Sequence, residues 1–156
     1  MNTAIRAVIV GTIVSFSACT AVKPPISERE AVKKAWHLME NEQIEESIRL
    51  IRPYLQTKNP ELALAIGHLF NGRAINGNAE QVELRKQDQQ CFIAMLEHSA
   101  VLGSVNAAST LSNTFHFWEK YIPKDKDKSD CWMRAFEGAD AAKCVDSEVK
   151  SACGKH

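Results

Sequence analysis

Cysteine is the residue type with the most distinctive chemistry in this sequence. The chain of 156 residues contains five, and four of them lie in its second half: Cys91, Cys131, Cys144 and Cys153. Thiols form disulfides or bind soft metal ions, and metal sites often add histidine ligands. The five histidines form no pair at ligand spacing on one helix. Cys153 and His156, with Cys144 nearby, would leave a four-ligand site incomplete. We therefore predict no metal site and up to two disulfides.

A serine and a lysine form the other motif that could be reactive. The segment Ser147-Glu-Val-Lys150 has a Ser-x-x-Lys spacing, but four residues in a charged segment are weak evidence for a nucleophile. The chain has no Gly-x-Ser-x-Gly motif and no glycine-rich phosphate loop. Acidic neighbours such as Glu45 and Glu46 are expected on the solvated surface, because adjacent helical positions do not face each other. We predict that the protein is not an enzyme and needs no cofactor.

The first eighteen residues have the features of a secretory signal. One positive charge, Arg6, precedes an apolar run from Ala7 to Ala18 that contains no charge. A helix of this length extends about 18 Å, which is too short for a hydrocarbon core of about 30 Å. A charged start, a short apolar middle and small residues at the end are typical of a signal peptide.

The end of this segment resembles a bacterial lipobox. It reads Phe16-Ser17-Ala18-Cys19, with Phe16 where Leu or Val is usual. The resemblance implies cleavage before Cys19 and lipid on that residue. Thr20 rather than Asp follows, which by resemblance to sorted lipoproteins implies the periplasmic face of the outer membrane. The alternative is an ordinary signal peptide that leaves a plain periplasmic protein. The predicted division is a signal peptide (1–18), a lipidated tether (19–27) and a helical-repeat domain (28–156).

The charge balance argues against two classes of partner. Without residues 1–18, the chain keeps 138 residues with 18 basic and 19 acidic side chains. Such a balance gives no electrostatic footprint for nucleic acid or for an anionic bilayer. We expect a protein partner, and contact with the membrane only through the lipid anchor.

The rest of the chain is predicted to be all-α. No alternating run of β-branched residues indicates a strand, whereas helix starts are well marked. Ser27 and Glu30 form a capping box, and Asn59-Pro60-Glu61 combines an N-cap, a first-turn proline and a first-turn acid. Weaker candidate starts are Asp88, Ser104, and Asp127 or Ser129. The predicted helices cover residues 28–40, 43–57, 60–71, 88–102, 104–120, 128–142 and 146–153.

Two segments repeat one pattern at an offset of 45 residues. Leu62, Ile66, Gly67 and Phe70 align with Ala107, Leu111, Ser112 and Phe115. These positions lie on one helical face, where the small residue lets a neighbouring helix approach and the aromatic ring fills the space beside it. The repeated pattern indicates helices that pack in consecutive pairs.

The stretch "HSAVLGSVNAASTLS" resembles the Sel-one-like repeat, a branch of the tetratricopeptide superfamily. Ser99-Ala100, Gly103, Ala107 and Leu111-Ser112 stand at the positions of its motif. The stretch "SIRLIRPYLQTKNPELALAIG" resembles the same junction, with Lys58 where glycine is usual. The resemblance covers about residues 30–145 and implies a short α-solenoid of about three helix hairpins plus a C-terminal capping helix.

The same resemblance implies a protein-binding groove on the concave side of the solenoid. The groove pattern, carried over position by position, gives Leu64, His68, Asn71, Asn113, His116 and Phe117. Trp118, in the aromatic stretch "FHFWEKY", is predicted to be a binding anchor at the rim. Alternatively, its ring packs under the segment that follows it.

Three pairings of the four late cysteines are open. A hairpin over residues 131–153 would bring Cys131 to Cys153, and relatives in the repeat family bridge the two helices of a repeat. A kink between Cys144 and Cys153 would let these two pair and leave Cys91 for Cys131. In a straight helix they would lie about 13 Å apart, beyond the Cα limit of about 7 Å. We favour the hairpin.

The expected function is to bind another protein. The first hypothesis is an immunity protein that neutralises a secreted antibacterial toxin, for example a lipase or a cell-wall hydrolase, since small lipoproteins with these repeats occur beside such effectors. The second is an assembly or scaffold lipoprotein of a pilus or secretion machine. A minor peptidoglycan-related hydrolase is the alternative from another class.

Overall fold

The protein is all-α in the residues that the structure describes. This computed structural model describes residues 26–76, 82–117 and 122–154, which contain no β-strand. The predicted fold class is thereby confirmed. The predicted signal peptide and most of the predicted tether lie outside the described residues. The α-helices are α1 (Glu28–Glu40), α2 (Ile44–Ile51), α3 (Pro60–Asn76), α4 (Val82–Val101), α5 (Val105–His116), α6 (Lys126–Phe136) and α7 (Val149–Cys153). Short 3-10 helices cover Arg52–Tyr54 and Ala141–Cys144.

The two well-marked helix starts and the weaker candidate at Ser104 are confirmed by their capping hydrogen bonds. The Ser27 hydroxyl accepts from the Glu30 N–H at 3.3 Å, and the Asn59 Oδ1 accepts from the Glu61 N–H at 3.0 Å. The Ser104 hydroxyl likewise accepts from an N–H three residues later, at 3.3 Å. Each side chain satisfies a backbone donor that has no partner inside its helix.

Two other predicted starts are wrong. Asp88 does not begin a helix, because it is buried in the middle of α4, which already covers the polar residues from Val82 onward. Helix α6 begins at Lys126, ahead of Asp127 and Ser129, because Asp125 is its N-cap and accepts from a backbone N–H at 3.0 Å. The charged run after residue 125 is therefore the first turn of a helix.

Consecutive helices pack in pairs, as the repeated pattern predicts. Helix α1 packs chiefly on α2, α3 on α4, and α5 on α6, while α1–α3 and α4–α5 contacts join the pairs. Helix α7 packs on α4. The pairs are the unit that the resemblance implies, and the curved solenoid stays a prediction.

The two small residues of the repeated pattern lie where the helices of a pair come close. A Cβ added at Gly67 would lie 3.3 Å from the Met95 Cβ and 3.4 Å from the Phe92 carbonyl oxygen, so α3 and α4 approach tightly there. In the next pair, the Ser129 hydroxyl donates to the Ser112 carbonyl at 3.0 Å. The offset of 45 residues therefore aligns positions with the same packing role.

An ion pair is buried between α3 and α4. The Arg73 guanidinium bonds Asp88 through two nitrogens, one of them at 2.7 Å, and bonds the Glu45 carboxylate at 3.0 Å. The Asp88 side chain is fully buried, whereas that of Glu45 is largely exposed. Two-pronged contact of this kind satisfies the buried carboxylate and fixes one helix against the other.

The cysteines form two disulfides, and the favoured pairing is wrong. Cys91 pairs with Cys153 and Cys131 with Cys144, with Cα atoms 4.8 and 5.8 Å apart. The predicted Cys131–Cys153 hairpin does not form because α6 ends at Phe136 and the chain returns through a 3-10 helix that carries Cys144 back to α6. Residues 149–153 then lie on α4, beside Cys91.

Candidate functional site

The α3 residues of the predicted groove are partly covered. Leu64, His68 and Asn71 are all half-buried, and Leu64 packs against the hydrophobic core. The His68 ring lies 5.7 Å from the Phe92 ring of α4, and burial lowers the pKa of His68 below its ordinary value of 6.5. The Asn71 Oδ1 is buried and accepts no hydrogen bond within the described chain. This part of the predicted groove therefore offers little open surface.

The α5 residues form an open surface at the end of their helix. Asn113, His116 and Phe117 are exposed, and the Phe117 ring meets the His116 ring edge-on with centroids 4.7 Å apart. Phe117 is 65% exposed, the highest value for a large apolar side chain among the described residues. Trp118 lies outside the described residues. We name Asn113, His116 and Phe117 the α5 patch.

Among the described residues, no polar or ring contact joins the two halves of the predicted groove. His116 and Phe117 touch each other, but no hydrogen bond, ion pair or ring contact of the described residues links them to Leu64, His68 or Asn71. The structure therefore supports the α5 patch as an accessible surface and leaves a continuous groove as a prediction.

A cavity that no sequence motif indicates is lined in part by the C-terminal segment, residues 146–154. Its volume is about 680 Å³, within the range of ligand sites. One helical face of α4 contributes Gln89, Gln90, Ile93 and Glu97. The other walls come from Phe115, Ile122, Pro123 and Lys128 and from the C-terminal segment. The residues that form the walls are far apart in sequence, so the sequence gives little indication of this cavity. The available indication is the spacing of Ile93 and Glu97, which places the acid on the inward face of α4.

Glu97 fastens the C-terminal segment to α4. Its side chain is buried, and one carboxylate oxygen accepts from the Ser147 hydroxyl at 2.5 Å and from the Ser147 N–H at 3.1 Å. Burial raises the pKa of Glu97 above its ordinary value of 4.5, and the two Ser147 hydrogen bonds oppose that rise. Both hydrogen-bond donors of Ser147 bond to Glu97, so this contact holds the C-terminal segment on α4.

A surface ion pair closes the same cavity on another side. The Lys128 ammonium lies 2.6 Å from the Asp146 carboxylate and 5.2 Å from the centroid of the Phe115 ring. The hydrogen bond to Asp146 raises the pKa of Lys128. Lys150, three residues after Ser147, also lines the cavity and has no ion pair within the described chain. The Ser-x-x-Lys spacing thus places its two side chains at one cavity.

Gln89 is a buried polar residue of the cavity wall whose side-chain oxygen has no hydrogen-bond partner among the described residues. The side chain is 4% exposed, and its Oε1 accepts no hydrogen bond from any described residue. This oxygen has almost no accessible surface, so it does not open to the cavity, and a buried acceptor without a donor is unfavourable.

The described residues contain neither a candidate metal site nor a candidate membrane span. No three or more histidine, cysteine or acidic side chains in residues 26–76, 82–117 and 122–154 are placed to hold a metal ion. None of the helices within these ranges is long and apolar enough to span a membrane.

Comparison with known proteins identified no relative. No family, no curated protein and no solved structure matched this chain.

Proposed function

We propose that this protein is a lipid-anchored periplasmic protein of the outer membrane that binds another protein, and that its partner is a secreted antibacterial toxin. The observation that carries the binding proposal is the α5 patch, where Phe117 leaves most of its ring in water. Exposed aromatic side chains are frequent anchors of protein interfaces. An interface anchor gains by desolvation in the complex, which gives a reason for an apolar ring at this exposed position.

The compartment is inferred from two further features. The lipobox-like end of the first nineteen residues favours export and lipid attachment at Cys19. All four later cysteines are in disulfides, which persist in oxidising compartments such as the periplasm. Toxins that attack lipids or the cell wall act in that compartment, which favours an immunity role over roles inside the cell.

The binding proposal is tested with a pair of phenylalanine variants. The full chain, solubilised in detergent, is used to capture partners from envelope extracts, and the affinity of the captured protein is then measured. Phe117→Ala should weaken binding at least about thirtyfold, equivalent to about 2 kcal/mol, because the truncated ring no longer fills its site on the partner. Phe136→Ala is the matched control, since Phe136 on α6 is 43% exposed and lies outside the α5 patch.

The outcomes separate the candidate functions. Equal affinity of the Phe117→Ala and Phe136→Ala variants would refute the α5 patch as the interface. A captured toxin whose activity falls on binding supports the immunity role, whereas captured pilus or secretion subunits would replace it with an assembly role. Hydrolysis of peptidoglycan by the purified chain, lost in Ser147→Ala, would instead favour an enzyme.

The anchor is tested by Cys19→Ala. Without the thiol there is no site for the lipid, so the variant should lose palmitate labelling and move from the membrane fraction to the soluble periplasmic fraction. Ser17→Ala is a suitable control because it leaves the cysteine in place. Membrane fractionation that is unchanged in Cys19→Ala would contradict the anchor.

A further inference from the structure

We infer that one end of the helical body rests on the lipid surface to which the chain is anchored. The contact is made by three exposed side chains, Val101, Val105 and Val145, which we name the valine end. This inference rests on the proposed lipid anchor at Cys19 and adds a direct contact between protein and lipid. It goes beyond the contact through the anchor alone that the charge balance predicts, because apolar side chains enter a lipid interface without any net charge.

The place where the predicted tether joins the body is fixed by contacts of the first described residues. The Tyr54 hydroxyl donates to the Ile26 carbonyl oxygen at 2.7 Å, and the Thr57 hydroxyl donates to the Glu28 carboxylate at 2.7 Å. Ile26 also packs against the hydrophobic core. The chain before residue 26 therefore joins the body beside residues 54–57.

The valine end lies at the same place. The His98 Nε2 lies 2.7 Å from the Thr57 carbonyl oxygen, so the last turn of α4 adjoins the point where the tether joins. Val101 ends α4 and Val105 begins α5, and these two side chains are 47% and 55% exposed. Val145 lines one surface pocket with Val101 and His98, which places all three valines on this side of the molecule.

The length of the tether lets this end reach the lipid. Cys19 is seven residues before Ile26, and an extended chain of seven residues spans at most about 25 Å. Helices α3 and α4, with 17 and 20 residues, run from this end to the opposite one and are about 25–30 Å long. The anchor therefore brings the valine end nearest to the lipid, and the opposite end is farther away by about the length of the tether.

Both ends of the body expose apolar side chains, so exposure alone does not select the end that faces lipid. At the opposite end, Ile75 near the end of α3 and Val82 at the start of α4 are exposed. Phe117 of the α5 patch is also remote from Val105, because a helix of twelve residues separates them. The position of the tether selects the valine end, and contact there directs the α5 patch away from the lipid, where a secreted toxin would meet it.

The experiment locates the lipid contact by photo-crosslinking. The acylated full chain is placed in vesicles of phosphatidylethanolamine and phosphatidylglycerol that contain a lipid with a diazirine in its acyl chain. Illumination attaches this lipid to the residues that it touches, and mass spectrometry of the digested protein locates the products. We expect residues 101–105 and 142–145 to be labelled at least about fivefold more than residues 113–117, because only the valine end leaves water for the lipid interface.

A pair of serine variants tests the side chains. The triple variant Val101→Ser/Val105→Ser/Val145→Ser should lower the labelling of residues 101–105 and 142–145 at least about fivefold, because serine gains less than valine from leaving water. Ile75→Ser/Val82→Ser is the matched control, since it replaces exposed apolar side chains at the opposite end and should leave this labelling unchanged. All five side chains are exposed, so their replacement leaves the core intact.

Three outcomes would overturn the contact. Equal labelling of the two ends in the wild type, or undiminished labelling in the triple serine variant, would show that the valine end does not rest on lipid. Loss of a captured protein partner in the triple variant, with lipid labelling retained, would make the valine end a protein contact instead.

The same experiment separates this inference from the anchor on which it rests. A chain that carries no acyl group at Cys19 would refute the anchor and, with it, the lipid contact. An acylated chain whose two ends are labelled equally would overturn the lipid contact alone. In that case the Cys19→Ala and Phe117→Ala results still decide the anchor and the α5 patch.

Discussion

A buried acid contributes more to stability than an exposed one. Arg73 has a partner of each kind, Asp88 and Glu45. Asp88 is fully buried against a guanidinium that is itself buried, while Glu45 reaches the same guanidinium from the solvent side. A buried pair that loses one partner leaves an uncompensated charge, whereas an exposed pair is screened by water. The same arginine therefore takes part in one strong and one weak interaction.

The first prediction compares the two acids. Asp88→Ala should lower the free energy of unfolding by about 3–5 kcal/mol, because it leaves Arg73 charged and buried. Glu45→Ala should lower it by about 1 kcal/mol or less, since Glu45 is largely exposed. Urea unfolding at neutral pH measures both. Comparable losses in the two variants would mean that the Arg73–Asp88 pair is not shielded from water.

Residue types alone did not predict this pair, because the partners are distant in the chain. Asp88 is fifteen residues from Arg73, and Glu45 is twenty-eight residues away. An acid before a helical stretch resembles an N-cap, so the sequence predicts a helix start at Asp88. In contrast, Asn113, His116 and Phe117 were predicted to lie in the groove only through the resemblance to the repeat family, and their nearness in sequence means that one helix end suffices to bring them together.

The sequence predicts some helix ends correctly and others incorrectly. Helices α4 and α6 each end in a six-residue turn, with Gly103 and Gly138 at positive φ and paired backbone bonds such as Ala139 N–H to the Arg134 carbonyl at 2.9 Å. Only glycine adopts this conformation without cost. In the sequence, Gly138 indicates the end of a helix. The predicted helix over residues 128–142 is too long because it continues past this glycine.

The end of α1 uses the same turn without a glycine. The Gln43 N–H bonds the Leu38 carbonyl at 2.9 Å, and the Glu42 N–H bonds the Met39 carbonyl at 3.1 Å. Glu42 occupies the left-handed position with φ of 62°. A side chain there is strained by about 1–2 kcal/mol.

The second prediction follows from this strain. Glu42→Gly should raise the free energy of unfolding by about 0.5–1 kcal/mol, a net gain after the greater freedom of glycine in the unfolded chain is subtracted. Glu42→Ala removes the same charge but keeps the Cβ, so it should give no such gain. Thermal unfolding of the three proteins at equal ionic strength makes the comparison. An alanine variant as stable as the glycine variant would assign the effect to charge instead.

At the scale of the whole molecule, the C-terminal segment is held by covalent and polar contacts to helices that are far from it in sequence. Cys153 is bonded to Cys91, Ser147 is hydrogen-bonded to Glu97, and Asp146 pairs with Lys128. The sequence predicted that these cysteines form disulfides, because an even number in an exported protein favours pairing. It did not predict the pairing, which depends on where α6 stops and on the 3-10 helix that follows.

The last prediction concerns the unequal value of the two disulfides. The Cys91–Cys153 bond closes a loop of 62 residues, and the Cys131–Cys144 bond closes one of 13. Loop-closure entropy in the unfolded chain gives about 4 kcal/mol for the first and about 3 kcal/mol for the second. The double variant Cys91→Ala/Cys153→Ala should therefore unfold at lower denaturant concentration than Cys131→Ala/Cys144→Ala.

Loss of the Cys91–Cys153 bond should also free the C-terminal segment that lines the cavity. In the Cys91→Ala/Cys153→Ala variant, backbone amides of residues 149–153 should then exchange with deuterium faster, while those of α1 do not. Equal stability of the two variants, with unchanged exchange in residues 149–153, would show that the polar contacts alone hold the segment in place.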